Sequence, residues 1–189
     1  MQFIKGLFGL VLCLILCTCA YQGAIKPDLF SATDWTISEE AEWTFQGKQL
    51  VAKVDSGMSA FMTKAVYGDF ELIIDFKPDS TVNSGIFARC QERVLSATDC
   101  YEFNIWDNHP NQTFRTGALV THGPPLAHVN TINQWNTYKI RCQGTQLKAW
   151  INNQLVVDKT DNQLEKGFIS LQAAGQGTIR FRNLRFKPL

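Results

Sequence analysis

Short segments in which apolar and polar residues alternate follow one another along most of this chain. The clearest is the stretch DFELIIDFK at residues 69–77, whose apolar face consists of Phe70, Leu72, Ile74 and Phe76. Since successive side chains of a β-strand point to opposite faces, this pattern predicts a half-buried strand. No helical pattern of comparable length occurs beyond the N-terminal segment, so the fold is expected to be all-β.

The other segments of strand length follow at the spacing typical of an antiparallel β-sandwich. They read EWTF, QLVAKV, IFAR, CYEFNIWD, WNTYKIRCQ, QLKAWIN, QLVVDK, GFISLQA and TIRFRNLRF. Asn183 breaks the alternation of the last one, which predicts a bulge that restores a common inward face. Residues 107–133 are irregular and are interpreted as loops around one short strand near residues 116–120.

Composition narrows the classes of function. The chain has 189 residues, 18 Lys and Arg against 17 Asp and Glu, and no long basic run. Nucleic-acid binding needs a basic stripe that neutralises phosphates, so it is not expected. No zinc-ligand spacing, phosphate loop or EF-hand loop occurs; a divalent cation held by scattered loop oxygens would leave no motif, so the cofactor stays unknown.

The N-terminus carries an export signal. Lys5 precedes a twelve-residue apolar segment, residues 6–17, which is too short to span a bilayer. Residues 1–20 are therefore assigned to a signal peptide, 21–27 to a tether and 28–189 to one domain, without a transmembrane span in the mature chain. Cleavage before Cys19 would leave a lipid-anchored protein and ordinary cleavage a soluble one. Either product is expected in the periplasm or cell envelope.

Export permits disulfides. Cys90 and Cys100 flank the loop between two candidate strands and are the candidate pair, whereas Cys142 fits a small buried hydrophobe.

Groups able to do chemistry concentrate between Asn83 and Gly117. They are Arg89, Glu102, Asn104, Trp106, Asp107, His109 and Arg115. The segments GDFELIIDFK, NSGIFAR, YEFNIWDN, RTGAL, WNTYKI, KAWINN, GFISLQAAG and IRFRNLRF, in this order, resemble the family called domain of unknown function 1080, or 3-keto-disaccharide hydrolase domain. The resemblance covers about residues 28–189. It departs from the family pattern at Asn104, where Gln is usual, and at Asn152-Asn153, where the turn is usually Asn-Gly.

The resemblance implies a concanavalin-like jelly roll with a carbohydrate ligand on its concave face. It also implies an enzyme that cleaves glycosides oxidised at C3. A C3 ketone acidifies the C2 proton, so a base, a group that stabilises the enolate and an acid would suffice for elimination followed by hydration. The alternative is a binding module of the same fold that recognises glycans without turnover.

Glu102, Asn104 and Trp106 alternate with Tyr101, Phe103 and Ile105. If the three apolar residues pack inside, then Glu102, Asn104 and Trp106 line the groove. Glu102 would then be the proton-transfer group; its alternative interpretation is a salt-bridged surface carboxylate. Each further candidate also has two interpretations, one in the site and one structural. These candidates are Asp107 and His122 as catalytic groups and Arg89, Arg115, Lys148 and Trp150 as ligand contacts, while His109 and His128 are weaker ones.

Overall fold

The computed structural model describes residues 26–27, 34–38 and 41–189, and it is a two-layer antiparallel β-sandwich. The strands are β1 (Lys26–Pro27), β2 (Trp35–Ile37), β3 (Glu42–Gln46), β4 (Gln49–Val54), β5 (Met58–Thr63), β6 (Phe70–Pro78), β7 (Val82–Cys90), β8 (Tyr101–Ile105), β9 (Asn136–Gln143), β10 (Gln146–Ile151), β11 (Gln154–Thr160), β12 (Phe168–Gly175) and β13 (Gly177–Pro188). A short 3-10 helix occupies Gln112–Phe114.

Two sheets face each other across one core. The larger has the order β11-β10-β9-β6-β13-β4-β3, with β1 paired to β13, and the smaller has the order β2-β5-β12-β7-β8. Alternate residues of each strand enter the space between the sheets, as the burial of every second residue in β6, β9 and β10 shows. The inner side chains form one contiguous apolar cluster. The predicted all-β sandwich is therefore confirmed.

Two local predictions from the sequence, a bulge at Asn183 and a short strand near residues 116–120, had different outcomes. The bulge in β13 is present: the register with β6 shifts between Arg182 and Arg185, and Asn183 takes a positive φ of 53°. Leu184 and Phe181 consequently both reach the core. The expected short strand near residues 116–120 is instead an isolated bridge from Leu119 to Phe103 and another from Leu119 to Gly123, with further backbone hydrogen bonds to the free edge of β8.

The cysteines outside the N-terminal segment have distinct environments. Cys90 and Cys100 form a disulfide, and Cys142 is a buried free thiol. Burial raises the pKa of that thiol to about 12, because the thiolate would lose its hydration.

The predicted signal peptide, most of the tether and Cys19 lie outside the described residues and stay predictions, as does export. Lys26 and Pro27, at the end of the tether, pair with β13. In the part of the chain that is described, no helix has the length and apolar character needed to cross a membrane.

Candidate functional site

The outer face of the smaller sheet carries the candidate site. Tyr101, Phe103 and Ile105 of β8 are fully buried in the core, so Glu102 and Asn104 between them point to the opposite face. This is the orientation predicted from the alternation.

Glu102 lies in an apolar part of that face. Its cross-strand partner is Phe87, which belongs to a second apolar cluster composed of Ala60, Met62, Phe87, Cys90, Leu95 and Cys100. Only 9% of Glu102 is exposed. Among the described residues, no donor makes a hydrogen bond or ion pair with its carboxylate.

This environment changes the acidity of Glu102. Burial raises its pKa from 4.5 to about 7, because the carboxylate loses water and gains no compensating donor. A carboxyl group that titrates near neutral pH can both accept and donate a proton under physiological conditions.

Gly85 makes room for this side chain. It lies between Gln172 of β12 and Asn104 of β8 in the cross-strand row. A β-carbon at Gly85 would stand 3.5 Å from both Cγ and Oε1 of Glu102 and 3.2 Å from the Phe87 ring. The register is regular at this glycine, which leaves space for the neighbouring side chains.

Polar groups with unused hydrogen-bonding capacity share this face. Gln172 is 5% exposed, its amide nitrogen lies 3.2 Å from Met58 Sδ, and its Oε1 has no hydrogen-bond partner. Asn83, of the same parity as Gly85 in β7, is half-buried, and its side chain makes no hydrogen bond within the described ranges. Buried polar atoms are normally satisfied, so Gln172 Oε1 is a candidate ligand contact.

Asn104 and Trp106 are placed differently. The Asn104 amide donates to the Phe114 carbonyl and its Oδ1 accepts from the Ile105 N–H, so this side chain fixes the loop beside β8. Trp106 follows β8 and is half-buried, with its ring 4.4 Å from that of His109. Asn104 therefore holds the loop that borders this face, and Trp106 presents an aromatic ring just after the end of β8.

Arg89 is not part of this site. The register between β7 and β12 shifts next to it, and Arg89 has a positive φ of 55°, so its side chain leaves the parity of β7. The guanidinium donates to the carbonyls of Gly68, Gly144 and Leu164 and forms a 3.0 Å ion pair with Asp69. Arg89 thus has the structural role that was its alternative interpretation, and its carboxylate partner is Asp69.

The loop residues Asp107 and Arg115 also hold structure together. Asp107 accepts hydrogen bonds from the backbone N–H and the hydroxyl of Thr131 at 2.6 and 2.7 Å. Arg115 is 8% exposed, donates to the Val129 carbonyl and lies 3.2 Å from His128 Nδ1. Their contacts hold the long loop after β8 to the segment at residues 129–131, although Arg115 Nε is buried without a hydrogen-bond partner.

His122 is at the core side of β8, away from Glu102. Its Nε2 lies 3.6 Å from Asp161 Oδ2, and Asp161 also accepts a hydrogen bond from the Tyr101 hydroxyl. The hydrogen bonds from Tyr101 and the Gln163 N–H, together with His122, hold the pKa of Asp161 below its usual value despite partial burial. The structure therefore does not bring His122, predicted as a second acid or base, to Glu102; the histidine joins two loops at the sandwich edge.

Lys148 and Trp150 point away from the candidate site as well. They lie on β10 of the larger sheet, where Leu147, Ala149 and Ile151 face the core. The prediction that they extend the Glu102 groove is wrong, because the core separates the two outer faces.

Sequence reasoning missed two residues on the outer face of the smaller sheet. Gln172 stands at the outward parity of GFISLQA, between buried Leu171 and Ala173, and a polar residue at that outward position was a readable signal. Arg93 comes from the loop after β7 and places its guanidinium 4.3 Å from the centroid of the Phe168 ring. It also donates to Thr36 Oγ1 and the Lys64 carbonyl, so it lies toward the β2 edge of this sheet and not beside Glu102 on β8. Nothing in the local sequence indicates these contacts.

A metal site was left open by the sequence. Within residues 34–38 and 41–189, no three His, Cys, Asp or Glu side chains are grouped so that they could hold a metal ion.

Comparison with known proteins adds to this geometry. A candidate glycosyl hydrolase from Parabacteroides distasonis is 25% identical and superposes with a TM-score of 0.75, over 88% of this chain and all of that one. The carbohydrate-binding module CBM66 from Bacillus subtilis is 18% identical, with a TM-score of 0.64 over 82% of this chain and 95% of that one. The exoplasmic domain of VIP36, bound to Ca²⁺ and Man3GlcNAc, is 10% identical, with a TM-score of 0.59 over 82% and 83%.

The last two likenesses show the fold alone. No curated protein matches the chain. Residues 28–187, nearly the whole predicted domain, match a family described as the 3-keto-alpha-glucoside-1,2-lyase-like domain. That match agrees with the resemblance recognised in the sequence and ties the chain to carbohydrate chemistry. The chain therefore belongs to the 3-keto-alpha-glucoside-1,2-lyase-like domain family.

Proposed function

We propose that this protein is an enzyme that cleaves 3-keto-glycosides, with Glu102 as the group that removes the C2 proton. The observation that carries the proposal is the state of this carboxylate: it is nearly buried, lacks a hydrogen-bond donor among the described residues and has a pKa of about 7. A structural carboxylate would normally be paired, whereas a general base works best when its pKa is near the operating pH.

The reaction can be balanced with this one carboxyl group. The Glu102 carboxylate takes the proton from C2, and the electron pair of the C–H bond moves into the enolate of the C3 ketone. The enolate then forms the C1–C2 double bond and expels the C1 oxygen. Glu102, now protonated, returns its proton to the leaving oxygen. Water adds across the double bond, and the net result is hydrolysis.

Neighbouring groups on this face are available to bind the sugar. Gln172 Oε1 and the Asn83 amide, on the same face, have no hydrogen-bond partner among the described residues and are available for sugar hydroxyls. Trp106 offers a ring for the apolar side of a sugar. Asp107 and His122 are left out of the mechanism, because their contacts hold them elsewhere.

The decisive experiment uses a 3-keto-glucoside with a chromogenic aglycone and its unoxidised parent. We expect aglycone release from the keto compound alone, and we expect Glu102→Gln to lower the rate of that release at least a hundredfold. The matched control Glu165→Gln changes an exposed carboxylate and should keep full activity. Equal hydrolysis of both glucosides, or an active Glu102→Gln protein, would refute it.

A glycan-binding module is the second candidate, and the likeness to CBM66 over most of both chains favours it. In that case the same face would bind the keto compound and its parent with similar affinity, without turnover. Titration of both sugars into the wild-type protein, followed by product analysis, separates the two functions.

A further inference from the structure

The outer face of the larger sheet, opposite the candidate active site, carries more positive than negative charge. Its outward side chains on β6, β9, β10 and β13 include Lys139, Arg141, Lys148, Arg180, Arg182 and Arg185. The carboxylates that share these strands, Glu71 and Asp75, are already paired, with Lys139 at 3.0 Å and with Arg182 at 3.4 Å.

Arg141 stands out among these cations. Its Nη2 donates to Gln143 Oε1 at 2.7 Å, a neutral acceptor. In the described part of the chain, no carboxylate lies within 4.0 Å of the Arg141 guanidinium. Glu71, which lies directly across from Arg141 in β6, forms its ion pair with Lys139 instead. A half-buried guanidinium thus retains donors for an anion, and its planar fork suits a carboxylate or sulfate.

A pocket of about 300 Å³ adjoins this guanidinium. It is lined by Arg141, Gln143, Gln146, Lys148 and Trp150. The Trp150 ring supplies an aromatic wall, and Lys148 supplies a second cation that Asp158 neutralises at 3.1 Å. An aromatic wall beside polar amides is typical of a sugar site, and the unpaired arginine adds selectivity for a negative charge.

We propose that this pocket is a second saccharide site that binds an acidic sugar, such as a uronate, with its ring against Trp150 and its carboxylate on Arg141. The charge of the face selects against neutral glycans and guides acidic chains to it. The pocket would hold the protein on an acidic polysaccharide while the candidate site on the opposite face binds its own substrate. This proposal does not depend on the function of Glu102.

The test is calorimetric titration with three probes: a tetramer of galacturonate, its fully methyl-esterified neutral counterpart, and sodium sulfate. The wild-type protein should bind the galacturonate tetramer in preference to the other two, with affinity that falls as salt rises. Arg141→Gln should weaken binding by about ten- to a hundredfold, the range expected for losing a charge-assisted contact. Trp150→Leu should also weaken it, with circular dichroism to verify folding.

Two matched variants keep the proposal falsifiable. Arg185→Gln removes the same charge from an exposed position of the same face and should change the affinity less than twofold. Glu102→Gln should leave it unchanged. The proposal is overturned if the ester binds as well as the acid, or if Arg185→Gln weakens binding as much as Arg141→Gln. A separate titration uses anionic phosphatidylglycerol vesicles, and binding to them without binding to the tetramer would overturn the proposal too.

Discussion

Replacing Glu102 by glutamine should make the protein more stable at alkaline pH while removing its activity. The carboxyl has a pKa of about 7 in the folded protein against an ordinary value of 4.5. That difference corresponds to about 3 kcal/mol of unfavourable free energy for the buried carboxylate.

The sign follows from the direction of the shift. Because the folded-state pKa is raised, Glu102 favours the folded state fully below pH 4.5 and loses this contribution as the pH rises through about 7. Glutamine has nearly the same shape and cannot ionise. Glu102→Gln should therefore match the wild type near pH 4 and exceed it by up to about 3 kcal/mol at pH 8.

Urea unfolding at pH 4, 6 and 8, followed by tryptophan fluorescence, measures this difference. At pH 8 the midpoint of Glu102→Gln should be about 1–2 M urea higher than that of the wild type. The exposed control Glu165→Gln should stay within about 0.5 kcal/mol of the wild type at every pH. Equal stability of Glu102→Gln and wild type at pH 8 would show that the carboxylate is solvated or paired, and would remove the basis for its role as a base.

Three further predictions concern the scaffold. Arg89→Met should lower the free energy of unfolding by about 3–5 kcal/mol, because it leaves Asp69 and buried carbonyls unpaired; a loss below 1 kcal/mol in urea would contradict the structural role. Asp107→Ala should cost about 1–3 kcal/mol and speed proteolysis of the loop before Thr131, whereas unchanged cleavage would argue against that anchor. Cys90→Ser with Cys100→Ser should cost about 2–3 kcal/mol under oxidising conditions, and reductant should bring the wild type to the same midpoint.

The fold was readable from the sequence because alternation reports directly which face of a strand is buried. The bulge at Asn183 could be predicted for the same reason, since it is the only way to keep Phe181 and Leu184 on one side. Strand β5, MSAFMT, escaped notice because all but its first residue are buried, so no alternation marks it. Where both faces of a strand are covered, the period-two signal disappears.

The candidate site was only partly predictable. Alternation could place Glu102 on the outer face, but it could not say which sheet a strand joins, and so Lys148 and Trp150 were grouped with it across the core. The prediction that Arg89 contacts the ligand was wrong for a different reason. The register shifts beside Arg89, which itself has a positive φ, and its side chain turns toward Gly144 and Leu164. Such shifts depend on pairing between distant strands and have no signature within one segment.

The most direct test of the account follows the C2 hydrogen itself. The wild-type protein is incubated in D₂O at pD 8 with a 3-keto-glucoside that carries hydrogen at C2, and the recovered substrate and product are analysed by NMR. We expect deuterium at C2 of the product and a primary isotope effect when C2 is deuterated beforehand, with both signals absent in Glu102→Gln. Aglycone release with hydrogen retained at C2, or exchange that persists in Glu102→Gln, would contradict the claim that this carboxylate removes the proton.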